Sequence, residues 1–241
     1  MRIAFFSDVH GNMDAFHEVL TDMDKCRIDA MYCLGDNIGY GPEPEKVLLL
    51  LRQGTIPSVL GNHEMACLDP STLDWFNPAA KESLKKTIQM LSKQSLDFLF
   101  GLKNSMVCHG CRLVHGFPPD SPITYLFQVS GKSIFRYMLQ MEERICFIGH
   151  THELKIIEFD GKTCMRNSLK KGILPLKERS RYIINIGSVG QPRDGDNRAK
   201  YVIWDTDRDD IEVRFVRYDI QKVVDKILSA GLPEVHARKL F

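Results

Sequence analysis

The sequence predicts an α/β fold in which two β-sheets pack as a double-sheet sandwich flanked by helices. Three observations carry that expectation. The first quarter of the chain runs strand–helix–strand–helix–strand, the order of a parallel sheet with crossover helices. The second half is richer in short strands joined by turns, a more antiparallel pattern. No linker, repeat or low-complexity tract separates the two, so a single domain over residues 1–241 is expected.

Residues 2–6 read as a buried strand ending at Ser7. Asn12 suits the cap of a helix whose apolar positions Met13, Phe16, Val19, Leu20 and Met23 recur at helical spacing. Residues 30–34 form the next apolar run, stopped by Gly35, and Gly39-Tyr40-Gly41-Pro42 is turn chemistry. Pro44 opens a helix carrying Val47, Leu48, Leu50 and Leu51, and residues 56–60 read as a third strand before Gly61. Residues 78–100 are mostly helical, with Asn77 as a cap. A hairpin is expected over 105–114, turning at His109-Gly110, then a helix over 133–140 and a strand over 145–148. A second hairpin crosses Asp160-Gly161. Residues 167–180 read as a basic, loop-like and mobile segment. Strands over 182–186, 199–204 and 211–218 and a helix striped by Ile220, Val223, Val224, Ile227 and Leu228 complete the chain.

Composition narrows the function classes. At 44% apolar and 26% charged the chain can bury a core, and its formal charge of +1 gives no long-range field for nucleic acid or an anionic membrane. No stretch approaches the roughly 18 apolar residues of a membrane span, and the first residues do not read as a signal peptide. Seven cysteines without regular spacing fit reduced thiols in a cytoplasmic protein. The oligomeric state is left open.

Five polar stretches each follow an apolar run: Ser7–Asn12, Gly35–Asn37, Gly61–Glu64, His115-Gly116 and Gly149–His152. Asp8, Asp36 and Asn62 fall at the carboxyl ends of successive expected strands, where α/β sheets place functional groups. Asp8 and His10 are separated by one residue, so on an extended segment they emerge on one face and could clasp a divalent ion. Asp36 has two oxygens with which to touch two ions, which would sit about 3.5–4 Å apart. Asn62 offers a neutral amide oxygen, His150 and His152 repeat the Asp8/His10 spacing, and His115 ends a strand. Mixed carboxylate, amide and imidazole donors suit Mn²⁺, Fe²⁺ or Zn²⁺ better than Mg²⁺ or Ca²⁺. His63 adjoins a ligand without being needed as one, which makes it the natural proton donor, with Glu64 placed to orient it.

Asp8-x-His10, Gly35-Asp36, Gly61-Asn62-His63-Glu64, His115 and Gly149-His150-x-His152, in this order, resemble the calcineurin-like metallophosphoesterase superfamily. The resemblance implies a four-layer αββα sandwich and hydrolysis of phosphoesters by a metal-bridging hydroxide. It implies two divalent ions, Mn²⁺ first, with Fe, Zn or Ni as substitutes. Asp8, His10, Asp36 and His152 resemble the ligands of the first ion; Asp36, Asn62, His115 and His150 resemble those of the second; His63 resembles the general acid. The stretches 39–42 and 187–196 look like a smaller prokaryotic branch that includes phosphodiesterases and dinucleoside-polyphosphate hydrolases. A small phosphorylated or nucleotide-like substrate is therefore expected. Alternatives are a phosphomonoesterase acting on proteins or small molecules, or a non-catalytic metal-binding scaffold.

Other residues read more plainly. His109 belongs at a solvated hairpin tip, Cys108 and Cys111 pack across the hairpin, His17 lies on a helix surface, and His236 lies near an exposed C-terminus. Arg193 and Arg198, in a Gly-rich loop, are candidates for phosphate binding. Lys170-Lys171 reads as a solvated loop.

Overall fold

Strand β1 (Arg2–Phe6) shows how the layers arise in this computed structural model, which describes residues 1–241. Its side chains alternate, Ile3 and Phe5 to one face and Ala4 and Phe6 to the other, and all four are buried. A strand buried on both faces reads as an unbroken apolar run, which is why it was legible. Helix α1 (Met13–Asp24), β2 (Ala30–Cys33), α2 (Pro44–Gln53), α3 (Asn62–Leu68), α4 (Pro78–Gln89) and α5 (Lys93–Phe100) follow. Asn12 and Asn77 cap α1 and α4 through their side-chain oxygens, as expected. The chain continues through β3 (Ser105–Cys108), β4 (Cys111–Val114), α6 (Gly131–Gln140), β5 (Ile145–Ile148), β6 (Leu154–Phe159) and β7 (Cys164–Ser168). It ends with β8 (Gly172–Pro175), β9 (Arg181–Ile186), β10 (Ala199–Asp205), β11 (Asp210–Val216), α7 (Ile220–Ser229) and α8 (Glu234–Arg238).

Two sheets result, a five-stranded one in the order β2-β1-β10-β11-β8 and a six-stranded one in the order β3-β4-β5-β9-β6-β7. Between them lie Ile3, Phe5, Phe147, Ile184, Val202 and Trp204, with the rings of Phe5 and Phe147 stacked at 4.0 Å. Each such side chain contributes roughly 1.5–3 kcal/mol by burial, against about 0–1 kcal/mol for a surface ion pair, so this interior holds the sheets together. The outer face of the first sheet packs on α1, α2 and α5 through Ala4, Phe6, Phe16, Val19, Leu48 and Leu99. The outer face of the second packs on α6 through Cys146, Ile148 and Ile183 against Ile134 and Met138. The order is helix, sheet, sheet, helix.

Several expectations need correction. Residues 56–60 are extended but form only isolated parallel bridges, Cys33 to Ser58 and Val59 to Lys103. The neighbour of β1 opposite β2 is instead antiparallel β10, so the first sheet is mixed. The second sheet has a parallel centre, β4-β5-β9, with antiparallel pairs outside it. Residues 167–180 are not a loop: they finish β7, cross to the other sheet and pair there as β8 with β11. All four β8 residues are exposed, so backbone pairing holds it and no burial pattern announces it. His236 is buried rather than exposed: the C-terminal segment folds back onto α7 through Val223, Ile227 and Leu240, and the His236 ring meets Ala79 O at 3.2 Å and lies on Tyr40. No helix is long and apolar enough to cross a membrane.

Candidate metal centre

The loops that leave β1, β2, β4 and β5 converge at one end of the sandwich. They are tied edge to edge: Asp8 N donates to Gly35 O, His10 N to Asp36 O, and Gly149 N to His115 O, at 2.9–3.0 Å. Asp8, His10, Asp36, His150 and His152 all have left-handed backbones, with φ between 50° and 68°. The extended geometry expected for Asp8-x-His10 and His150-x-His152 is therefore absent; a left-handed turn at each residue aims the side chains instead. Such conformations cost of order 1–3 kcal/mol each and persist only where surrounding structure over-determines them. Gly149 is required here because a Cβ would strike Ser7 and the Asp8 carboxylate.

The expected ligands meet in two buried groups, Asp8 with His10 and His152, and Asp36 with His115 and His150, and a third group brings His63 against His10 and Asp36. His10 Nε2 faces His152 Nε2 at 3.1 Å, and His115 Nε2 faces His150 Nδ1 at 3.1 Å. Asn62 Oδ1 lies 3.2 Å from His115 Nε2, which brings Asn62 into the second group. Asp36 Oδ2 lies 3.2 Å from His115 Nε2 and 3.8 Å from His10 Nε2, so it stands between the groups.

The other ring nitrogen of each of these four histidines meets a backbone carbonyl: His10 with Ile38, His115 with Leu34, His150 with Ile123 and His152 with Gln191. A carbonyl only accepts, so each of these nitrogens carries the proton, and in the neutral ring the inward nitrogen is a bare lone pair. Lone pairs facing one another at 3.1 Å, beside an Asp8 Oδ1 with no hydrogen-bond partner, repel unless a cation lies among them. This donor set fits divalent transition metals, and the carbonyl partners are the usual outer support of such ligands. The electrostatics agree. Burial holds His150 down to about 3 and His10 well below its ordinary value, so those rings stay neutral. Against burial, Asp36 and Asp8 raise His115 to about 9, a proton answering the same field that would hold a cation.

His63 differs. Its backbone N–H donates to Asp36 Oδ1 at 2.9 Å, but its ring meets no carbonyl, and Nδ1 has no partner. The ring stands edge-on to Phe76 and Tyr40 with Nε2 3.9 Å from Asp36 Oδ2. Burial lowers it to about 4. Glu64 does not orient it, contrary to expectation: its carboxylate accepts from the backbone N–H groups of Asp36, Asn37, Ile38 and Gly61, at 2.6–3.3 Å. Glu64 is thus the clasp between two ligand-bearing loops.

Of the two arginines, Arg193 reaches the site. Its guanidinium lies 5.9 Å from the Tyr40 ring and its charge bears on His63. Arg198 does not; it is paired with Asp196 over Phe215, because the acid two residues away captures it. His109 is exposed, bonded to the Tyr32 hydroxyl at 3.0 Å, and all seven cysteines are free. Three rings were missed. Tyr40, itself left-handed at φ 59°, packs on His10 at 4.4 Å; buried His236 lies on Tyr40 at 4.5 Å; Tyr125 lies flat on His150 at 3.6 Å. Only Tyr40 carried a signal, its place between two glycines.

Comparison with known proteins gives a consistent picture. Residues 1–209 match the calcineurin-like phosphoesterase superfamily domain. An uncharacterized protein of Methanocaldococcus jannaschii is 35% identical over 99% of this chain and 97% of its own. Serine/threonine-protein phosphatase 2 of Escherichia coli is 31% identical over 53% of this chain and 61% of its own length. Among solved structures, a metallophosphoesterase from Sphaerobacter thermophilus superposes with a TM-score of 0.87 at 36% identity, covering 100% of this chain and 98% of that one.

Proposed function

The chain belongs to the calcineurin-like phosphoesterase superfamily and is a metal-dependent phosphoester hydrolase, and on that premise we propose that it cleaves phosphodiesters or nucleotide-like phosphoanhydrides at a dinuclear centre. Asp8, His10, Asp36 and His152 would hold one divalent ion and Asp36, Asn62, His115 and His150 the other, with manganese the first choice. Residues 1–241 act as one domain, and the seven free cysteines support a cytoplasmic setting. The observation that carries the reading is the set of four imidazoles whose outer nitrogens are spent on carbonyls and whose inner lone pairs converge beside two carboxylates.

Divalent ions held there would supply an acidified water and offset the charge that develops at phosphorus. The chain's own groups do the rest. Glu64 and the carbonyl partners keep the donors in place, and Arg193 attracts the phosphate. His63, whose Nε2 is turned toward the cluster 3.9 Å from Asp36 Oδ2, is the group placed to protonate the departing oxygen. The partial likeness to an Escherichia coli protein phosphatase supports a second reading, phosphomonoester hydrolysis. Metal analysis of the purified protein, then assays with Mn²⁺ on bis(p-nitrophenyl) phosphate, p-nitrophenyl phosphate, a phosphopeptide and diadenosine tetraphosphate, separate the two. Turnover confined to the monoester or phosphopeptide sinks the first reading.

A further inference from the structure

Beside the centre, the segment 123–127 carries rings that the hydrolytic site does not use. Ile123 O bonds to His150 Nε2 at 3.1 Å, which fastens the segment to the cluster. Tyr125 lies on His150 with centroids 3.6 Å apart and planes 17° apart, and Phe127 lies on Tyr125 at 4.9 Å and 20°. The result is a ladder of three near-parallel rings that starts at an expected ligand. Its last ring, Phe127, is 71% exposed. A stack that ends on an open π-face can accept another flat ring, and any nucleobase offers one.

The space at that end is built for more than an apolar ring. Phe127 lines a cleft of about 280 Å³ together with Thr151, Lys155, Arg166 and Asn167. Thr151 is the residue between His150 and His152, so the cleft adjoins the cluster along the chain. Lys155 and Arg166 bring positive charge, partly offset by Glu153, which also lines the cleft with its carboxylate 3.7 Å from Lys155 Nζ, and the Asn167 amide can both donate to and accept from the edge of a base.

We propose that Tyr125 and Phe127 form a stacking shelf for the base of a nucleoside 5′-phosphate ester whose phosphate sits at the Asp/His cluster. This rests on the phosphoesterase reading above and narrows its substrate class. An aliphatic ester would leave the ladder unextended.

The test is calorimetric binding of AMP and of ribose 5-phosphate to the Mn²⁺-loaded protein and to Phe127→Ala, which changes an exposed side chain. AMP binds about tenfold more tightly than ribose 5-phosphate, the scale of one base–aromatic stack, and Phe127→Ala removes most of that preference. Equal binding of the two by the natural protein, or a preference untouched by the substitution, overturns the shelf. In parallel, the ratio of kcat/KM for thymidine 5′-p-nitrophenyl phosphate over ethyl p-nitrophenyl phosphate falls about five- to twentyfold in the variant. If the AMP preference depends on Phe127 but neither ester is cleaved, the shelf stands and the hydrolytic reading falls. If both esters are cleaved with equal efficiency by the natural protein, hydrolysis stands and the shelf falls.

Discussion

Replacing His63 by alanine separates proton donation from metal holding. The ring makes no hydrogen bond: Nδ1 has no partner, and Nε2 is 3.9 Å from Asp36 Oδ2. Removing it therefore orphans no buried group. What is lost is edge-on packing against Phe76 and Tyr40, roughly 0.5–1.5 kcal/mol for each contact, which a folded domain survives. The backbone N–H to Asp36 Oδ1 is kept, so the Asp36 carboxylate stays aimed. General acids contribute roughly 10²–10⁴ in rate, about 2.7–5.4 kcal/mol. That loss is expected in kcat for a nucleoside or alkyl leaving group, and less than about tenfold for p-nitrophenolate, which needs little protonation. The assay is kcat for both classes at saturating Mn²⁺, with bound metal measured on the same samples. Gly39→Ala is a second route to the same end: at φ 82° its Cβ would meet the His63 ring and displace it without touching a ligand. Equal losses on both leaving groups, or loss of metal in His63→Ala, refute the assignment.

Three further outcomes follow from the packing. Gly149→Ala drives a methyl into Ser7 and the Asp8 carboxylate, and overpacking of this kind costs about 1–3 kcal/mol; calorimetry shows a lowered Tm and elemental analysis a reduced metal content, and an unchanged metal content counts against the crowding argument. Chelation lowers Tm, since a ligand at a hundred times its Kd stabilises by about 2.7 kcal/mol; identical melting with EDTA and with Mn²⁺ contradicts the paired-site reading. Burial acts to raise the Asp22 carboxyl, but bonds from Arg214 and Tyr201 hold it below its usual value of 3.8. A depressed carboxyl stabilises fully above that value and loses its contribution as pH falls through the folded pKa, so Asp22→Asn flattens the acid limb of stability below about pH 4. Denaturant titrations at pH 3 and pH 7 that show the same difference in both proteins refute this.

How much was legible follows from which physics wrote the pattern. Buried elements announced themselves: β1, β5 and β9 are apolar on both faces, and α1 and α7 carry stripes at helical spacing. The clustering of Asp8, Asp36 and Asn62 was legible because each follows an apolar run, and because their order along the chain is informative. What stayed hidden depends on partners distant in sequence. Strand β8 exists because β11 offers it an edge, and residues 56–60 are not a strand because they meet only bridges. His236 was assigned by its distance from the end of the chain, whereas burial is decided by the fold of α8 onto α7. The left-handed turns at the ligands could not be foreseen, since Asp and His have no local preference strong enough to declare them.

The loop at 187–193 shows why the same residues can suggest one role and perform another. Its glycines and Arg193 suggested a cradle for phosphate, yet most of its polar atoms face the chain. Val189 N donates to Ser7 O and Gly190 N to Asp8 O, at 2.9–3.0 Å. Ser188 Oγ donates to Asp8 O at 2.9 Å, Asn12 Nδ2 to Gly190 O at 3.0 Å, and Gln191 O takes the outer proton of His152. A Cβ on Gly190 would overlap Val9 O, so the glycine is there for close backbone approach. The loop therefore braces Asp8 and His152, which come from opposite ends of the ligand sequence and from different sheets. Held in left-handed conformations by separate turns, Asp8 and His152 could each relax alone; because both are bonded to one loop, neither moves without breaking bonds to it. The strain at the ligands is kept because the β9–β10 connection spans both, and Arg193, two residues further on, is brought beside Tyr40 by the same brace through its N–H to His152 O at 3.1 Å.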